Sequence, residues 1–241
     1  MNVILCTDYA EMSRKAADII SDLVAAKPDC TLGLATGSTP LGLYAELVKD
    51  HRAGKISFKD VDTFNLDEYR GLDPDHVQSY RYFMRTNLFD HVNIDPARIN
   101  LPDGTNMDAE AECAHYDEII RSVGGVDLQL LGTGPNGHIG FNEPGTPWDA
   151  VTHIVPLTDA TRQANKRFFN SIDEVPEKAV SMGIKTVMQS RRIILMAFGK
   201  NKAQAVKGMI EGRIDNSVPA SILQLHPDCT VYIDDDAASM L

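Results

Sequence analysis

Val126-Asp127-Leu128-Gln129-Leu130-Leu131-Gly132-Thr133-Gly134-Pro135-Asn136-Gly137-His138-Ile139-Gly140-Phe141-Asn142-Glu143-Pro144-Gly145 is the stretch on which the reading of this chain turns. It begins as an apolar run of strand length and stops at Gly132. Residues 130–145 then hold five glycines, one imidazole (His138) and one carboxylate (Glu143) five residues further on. Glycine at that density weakens a helix or strand, so it has another use. The use expected is close approach of backbone to a small polar ligand. Gly132, Gly134 and Gly137 do fit G-x-G-x-x-G, but a dinucleotide fingerprint needs a helix opening at its last glycine, and Pro135, Gly140, Pro144, Gly145 and Pro147 forbid one. A casual surface connection would not carry Ile139 and Phe141 in its middle, and long ordered loops are usually functional.

The same punctuation recurs on either side. Val3 to Cys6 is a buried strand, and Ala16, Ile19, Ile20, Leu23 and Val24 follow at helical spacing up to Lys27-Pro28. Thr31 to Ala35 is a second strand that empties into Thr36-Gly37-Ser38-Thr39-Pro40. Leu43, Tyr44, Leu47 and Val48 then mark a helix, with Pro40 in its first turn and Ser38 or Thr39 as its cap. Backbone N–H groups at such a turn, with the helix dipole behind them, make a ready anion site, although an ordinary capped helix has the same sequence. Val61 to Leu66 is a third strand, running into a loop Asp67-Glu68-Tyr69-Arg70-Gly71. Its adjacent carboxylates are either solvated turn residues or a catalytic base whose pKa a partly apolar pocket raises.

An amphipathic segment lies around Tyr80 to Phe89, and a helix from about Asp108 to Val123 ends at Gly124-Gly125. Thr152 to Val155, Ala179 to Met182 and Arg192 to Ala197 are further strands, the last delivering Phe198-Gly199-Lys200-Asn201-Lys202. Thr158 caps a helix bearing Arg162, Lys166 and Arg167, a basic cluster that is a solvated face or one charge turned inward to a phosphate. A last helical run ends at Gly212, and Thr230 to Ile233 closes the sheet.

Alternating strands and helices without repeat or linker imply one α/β domain over residues 1–241: a Rossmann-like, three-layer arrangement with a mostly parallel sheet and helices on both faces. All four unusual loops (37–40, 67–71, 132–145 and 199–202) follow expected strands. Ligands of open parallel sheets bind beyond the carboxyl ends of the strands, so the four loops are expected to meet there.

With 43% hydrophobic and 24% charged residues, general disorder is excluded. A formal net charge of -11 opposes nonspecific binding to nucleic acid or anionic membrane, and a phosphorylated substrate needs a locally basic pocket. The amino terminus lacks the basic region of a signal peptide, and nothing approaches the roughly 18 apolar residues of a membrane span. Cys6, Cys30, Cys113 and Cys229, scattered and unpaired, suit reduced thiols in cytosol better than a disulfide framework or a zinc site.

An anion cradle, a carboxylate, an imidazole and a cation in one site describe proton chemistry on a sugar phosphate. Histidine, with a pKa of about 6.5, both takes and gives a proton near neutrality, and a carboxylate such as Glu143 orients it. Asp67 is a second, separate acid–base group. Ring opening shuttles a proton between two oxygens; moving the carbonyl removes one from carbon. Metal hydrolysis through His138 and Glu143 is the competing chemistry, but a catalytic zinc wants three protein ligands and no second histidine stands at ligand spacing.

Five motifs carry a resemblance as well. Gly37-Ser38-Thr39-Pro40, Phe64-Asn65-Leu66-Asp67-Glu68-Tyr69, Gly137 to Pro144, Asn165-Lys166-Arg167-Phe168-Phe169 and Leu223-Gln224-Leu225-His226 closely resemble the glucosamine-6-phosphate deaminase family, in order and across essentially the whole chain. The resemblance implies conversion of glucosamine 6-phosphate and water to fructose 6-phosphate and ammonia, with no metal or organic cofactor. It assigns ring opening to His138 with Glu143, and proton transfer from C2 to C1 to Asp67. Phosphate falls to the backbone of Gly37, Ser38 and Thr39 with Arg167 and Lys202. Asn136 departs from the pattern, since many members carry aspartate there within the ring-opening group; an asparagine acts by hydrogen bonding or leaves more work to Glu143. Well-known hexameric members bind an activating amino-sugar phosphate through residues whose places are taken here by Thr146, Pro147, His153 and Val155, and they have a longer carboxyl terminus. No such activation, and a monomer or small homo-oligomer, is the expectation. The rivals are a 6-phosphogluconolactonase-like hydrolase and a sugar-phosphate sensor without turnover.

Overall fold

In the computed structural model, which describes residues 1–159, 162–163, 166 and 169–241, the chain runs β1 (Asn2–Cys6), α1 (Tyr9–Ala26), β2 (Thr31–Leu34), α2 (Leu41–Arg52), β3 (Asp62–Asn65), β4 (Asp67–Tyr69) and α3 (Tyr80–Asn87). It continues through β5 (Ile99–Asn100), α4 (Ala109–Ser122), β6 (Leu128–Gly132), β7 (His153–Pro156), β8 (Lys178–Ser181), α5 (Ile184–Met188), β9 (Arg192–Ala197), α6 (Ala203–Ile210), β10 (Cys229–Asp234) and α7 (Asp235–Ala238). Seven strands form a parallel sheet in the order β1-β10-β9-β6-β2-β3-β5. Every residue of β2 is buried, and five of the six in β9 and in β10. A parallel sheet covered on both faces asks for such near-continuous apolar strands.

The helices follow from local chemistry. Asp8 caps α1 by accepting the Glu11 N–H at 2.8 Å, and Met12, Ala16, Ile20 and Val24 form its buried stripe. Asp108 caps α4 in the same way through the Ala111 N–H, and Gly124 and Gly125 follow its end at φ of 87° and 86°. For α2 the expectation of a Ser38 or Thr39 cap is corrected: Pro40 occupies the N-cap and no side chain caps the helix. The Tyr9 hydroxyl accepts the Gly42 N–H at 2.8 Å and donates to the Thr39 carbonyl at 2.9 Å. Both hydroxyls of residues 38 and 39 are thereby left for the cavity described below.

One other expectation changes. Residues 67–69 are not a loop but a strand, paired antiparallel with β8 in a second sheet of order β4-β8-β7. Three residues reading Asp-Glu-Tyr show no alternation; what makes them a strand is pairing with residues far along the chain, Asp67 opposite Ser181 and Tyr69 opposite Ala179. The last expected strand is present as β10 and lies between β9 and β1, so the sheet's edges are β1 and β5. The connection from β3 in the first sheet to β4 in the second is the single residue Leu66. Its N–H donates to the Leu34 carbonyl at 3.0 Å, and its carbonyl accepts the Met182 N–H at 2.7 Å.

From β2 the chain moves outward to β3 and β5, whereas β6 lies on the other side of β2. The loops after β2 and β6 therefore part at this point and leave a crevice between them. Glu68 fixes one wall of it. Its buried carboxylate accepts the Tyr69, Tyr80 and Arg81 N–H groups at 2.8, 3.0 and 2.9 Å, two of them free donors of the first turn of α3. Glu68 is thus a structural carboxylate. Glu68→Ala is expected to cost about 1.5–3 kcal/mol, the range for hydrogen bonds to a charged acceptor. Chemical denaturation checks this, and a midpoint equal to wild type would contradict it.

Candidate active site

The crevice opens into a cavity of about 940 Å³ lined by Gly37, Ser38 and Thr39 after β2, Asp67 of β4, Asn136, His138 and Glu143 after β6, and Lys202. Every site residue expected from sequence converges here except Arg167, which lies outside the described residues. Tyr69, Tyr80, Phe141 and Phe169 form an aromatic wall, with the rings of Tyr80 and Phe141 stacked at 6.1 Å and Tyr69 inclined to Phe141 at 5.8 Å.

Asp67 stands against that wall. It is 6% exposed, and no hydrogen bond reaches its carboxylate among the described residues. Burial, and secondarily the charge of Glu68, push it up to about 8. A carboxylate that binds its proton near the working pH suits general-base work, and one with no internal partner is available to a ligand.

The cluster of Asn136, His138 and Glu143 is assembled by one short loop. Gly134 is required by close approach: a Cβ there would lie 2.1 Å from His138 Cε1 and 2.4 Å from Nδ1. The backbone thus lies against the imidazole itself, where a ligand had been expected. His138 Nδ1 faces Glu143 Oε2 at 3.7 Å, one step beyond hydrogen-bond length. Asn136 connects the pair from outside: its Nδ2 donates to Glu143 Oε2 at 2.6 Å, and its Oδ1 accepts the His138 N–H at 3.2 Å. The amide aims the carboxylate without adding charge.

At the other end are the 37–39 turn and Lys202. The side chain of Lys202 is partly buried, and desolvation holds its pKa below that of an ordinary lysine. Among the described residues it has no carboxylate partner. A dehydrated cation without a counter-ion, beside a turn presenting backbone N–H groups, is matched by an anion. Tyr9, which braces this turn from 29 and 30 residues away, was not visible in the sequence, because nothing local marks it. The aromatic wall was missed as well, its members being scattered from 69 to 169.

No helix among the described residues is long and apolar enough to cross a membrane. The four cysteines are buried and free; burial pushes Cys30 up to about 12 and Cys113 and Cys229 to about 11, so none is poised as a nucleophile.

A mostly parallel sheet with a crevice at its switch point defines a broad class of α/β proteins that bind small ligands beyond the carboxyl ends of their strands. The chain belongs to one family of that class, described as Glucosamine-6-phosphate isomerases/6-phosphogluconolactonase, which matches residues 8–232. The glucosamine-6-phosphate deaminase of Halothermothrix orenii is 55% identical over 241 residues, 100% of both chains. That of Bacillus velezensis is 56% identical over 238 residues, 99% of both. A solved structure of a monomeric glucosamine-6-phosphate deaminase superposes with a TM-score of 0.97 at 49% identity, covering 100% of each chain. The 6-phosphogluconolactonase from Trypanosoma brucei shares the fold, with a TM-score of 0.79 at 20% identity over 100% of this chain and 98% of that one.

The elevated pKa of Asp67 has a consequence for stability. Unfolded, the group ionises near 3.8; folded, near 8. Between these values the native state binds more protons than the unfolded one, so stability falls as pH rises through that window and stays lowered above it. Asp67→Asn removes the effect. Its melting temperature is expected to exceed that of wild type by a margin that grows from about pH 5 to about pH 8 and then levels. A margin independent of pH would place the ionisation elsewhere.

Proposed function

We propose that the chain, acting as one domain over residues 1–241, converts glucosamine 6-phosphate and water to fructose 6-phosphate and ammonia in amino-sugar catabolism. The phosphate sits on the Gly37, Ser38 and Thr39 backbone beside Lys202, with Arg167 as a further cation by family resemblance. His138 takes the proton from O1 of the pyranose and returns one to O5, which opens the ring. Glu143, aimed by Asn136, stabilises the imidazolium that forms in between.

Asp67 then removes the C2 proton of the open-chain aldehyde and returns it to C1, while a proton passes from the amino nitrogen to O1. The product is an imine at C2. Water adds to that carbon and ammonia leaves, giving the ketone. The observation that carries this reading is Asp67: buried, without an internal hydrogen bond among the described residues, and in one cavity with the imidazole. A lactonase needs a base for water but none for carbon. A sensor needs the anion cradle and neither acid–base group.

The assay is direct: incubation of purified protein with glucosamine 6-phosphate should release ammonia and fructose 6-phosphate. Asp67→Asn should lower kcat by about 10²–10⁴ and abolish exchange of the C2 proton with solvent. Because Asp67 acts ionised, kcat/KM should fall about tenfold per pH unit below its pKa of about 8. Hydrolysis of 6-phosphogluconolactone without deamination would transfer the chain to the lactonase reading. Binding of sugar phosphate without any product would favour the sensor.

A monomeric, cytoplasmic enzyme without allosteric activation completes the proposal, since Thr146, Pro147, His153 and Val155 stand where hexameric relatives hold their activator. Rate curves should be hyperbolic and insensitive to N-acetylglucosamine 6-phosphate. A sigmoidal curve that this compound renders hyperbolic would reverse that expectation.

A further inference from the structure

One hydroxyl stands between the two acid–base groups and has no part in the reaction as written. Ser181 ends β8, is fully buried, and faces Asp67 directly across the antiparallel pairing. Its Oγ accepts the Phe141 N–H at 3.2 Å and donates to the Met182 carbonyl at 3.2 Å. Phe141 belongs to the loop that presents His138 and Glu143. A neighbouring residue of that loop, the buried Asn142, donates to the Met182 carbonyl at 2.8 Å. The ring-opening loop is therefore tied to β8 at two adjacent residues, and β8 is the strand that holds β4 with its base.

Gly140 shows how closely these parts meet. With φ of +56°, a Cβ at this position would lie 3.1 Å from Ser181 Oγ, 3.4 Å from Asp67 Oδ2 and 3.6 Å from Asn142 Nδ2. The strand bearing the base, the strand bearing the hydroxyl and the loop bearing the imidazole thus come within one methyl's width of a common point. Ser181 itself is absent from the cavity lining. It acts through what it holds.

We propose that Ser181 is a positioning residue that sets the separation between the ring-opening loop and Asp67, so that a sugar opened by His138 already presents its C2 hydrogen to the carboxylate. The inference rests on the assignments of His138 and Asp67 given under Proposed function. Its physical basis is that two groups acting in turn on one bound substrate must share a frame, and a displacement near 1 Å costs up to about 10²-fold in rate.

Ser181→Ala is expected to lower kcat about 10- to 100-fold with KM within about threefold. C2-proton exchange should fall further than anomer interconversion followed by exchange NMR, because the loop keeps its own histidine. Ser181→Thr, which retains the oxygen, should recover most of kcat. Gly140→Ala inserts a methyl into the same gap from the loop side and should produce the same kcat-selective loss. A Ser181→Ala protein that melts earlier but keeps wild-type kcat would reduce the hydroxyl to a structural bond and overturn the proposal. So would wild-type kcat in Gly140→Ala, or Ser181→Ala and Ser181→Thr proteins equally slow at equal melting temperature. Undiminished C2 exchange in Asp67→Asn would instead remove the base assignment, a result read from a different variant.

Discussion

The two hydrogen bonds of Leu66 are the constraint on which the rest of the molecule depends. Its N–H closes the end of β3 onto β2, and its carbonyl receives Met182 from the second sheet. A chain leaving a parallel sheet ordinarily does so through a loop with freedom to move. Here the exit is one residue long and bonded on both sides, so Asp67 emerges at a fixed point above the crevice. The sheet's rigidity is thereby passed directly to that carboxylate, the placement that the base proposed above requires.

Placing a carboxylate there works against stability, and the surroundings show how the fold accommodates it. Glu68, the next residue, points the other way and spends its charge on three backbone N–H groups at the start of α3. Burial raises the proton affinity of both, but in Glu68 the backbone hydrogen bonds oppose the rise, whereas Asp67 has no such compensation among the described residues. Two adjacent carboxylates in one strand thus differ because their environments differ: one is hydrogen-bonded and holds a helix, the other has no hydrogen bond among the described residues and lines the cavity. Residues at functional sites commonly carry costs of this kind that the remaining structure offsets.

Much of this was legible in the sequence, and the parts that were not share a cause. The apolar runs of β2, β6 and β9 and the glycine punctuation after them are local signals, so the parallel sheet and the convergence of residues 37–39, 136–143 and 202 could be read from spacing alone. The second sheet could not, because β4 is a strand only through its pairing with β8. Tyr9 and Ser181 escaped for the same reason: each acts on a loop distant in sequence. Gly134 was noticed but given the wrong neighbour, since composition records that backbone must come close to something without recording to what. The choice of Asp67 over Glu68 came from family resemblance, and the capping of α3 by Glu68 supplies its physical counterpart.

Asn136 has a consequence for proton bookkeeping. With its Nδ2 2.6 Å from Glu143 Oε2, an aspartate in its place would bring two carboxylates into contact, and such pairs share a proton because both cannot ionise cheaply. A cluster with that aspartate would hold three titratable groups, and its charge would depend on how the protons are distributed among them. In this chain the amide donates under all ordinary conditions and titrates under none. The cluster is left with two ionisable members, His138 and Glu143, and hence, in the ring-opening role proposed above, with a smaller set of protonation states to pass through.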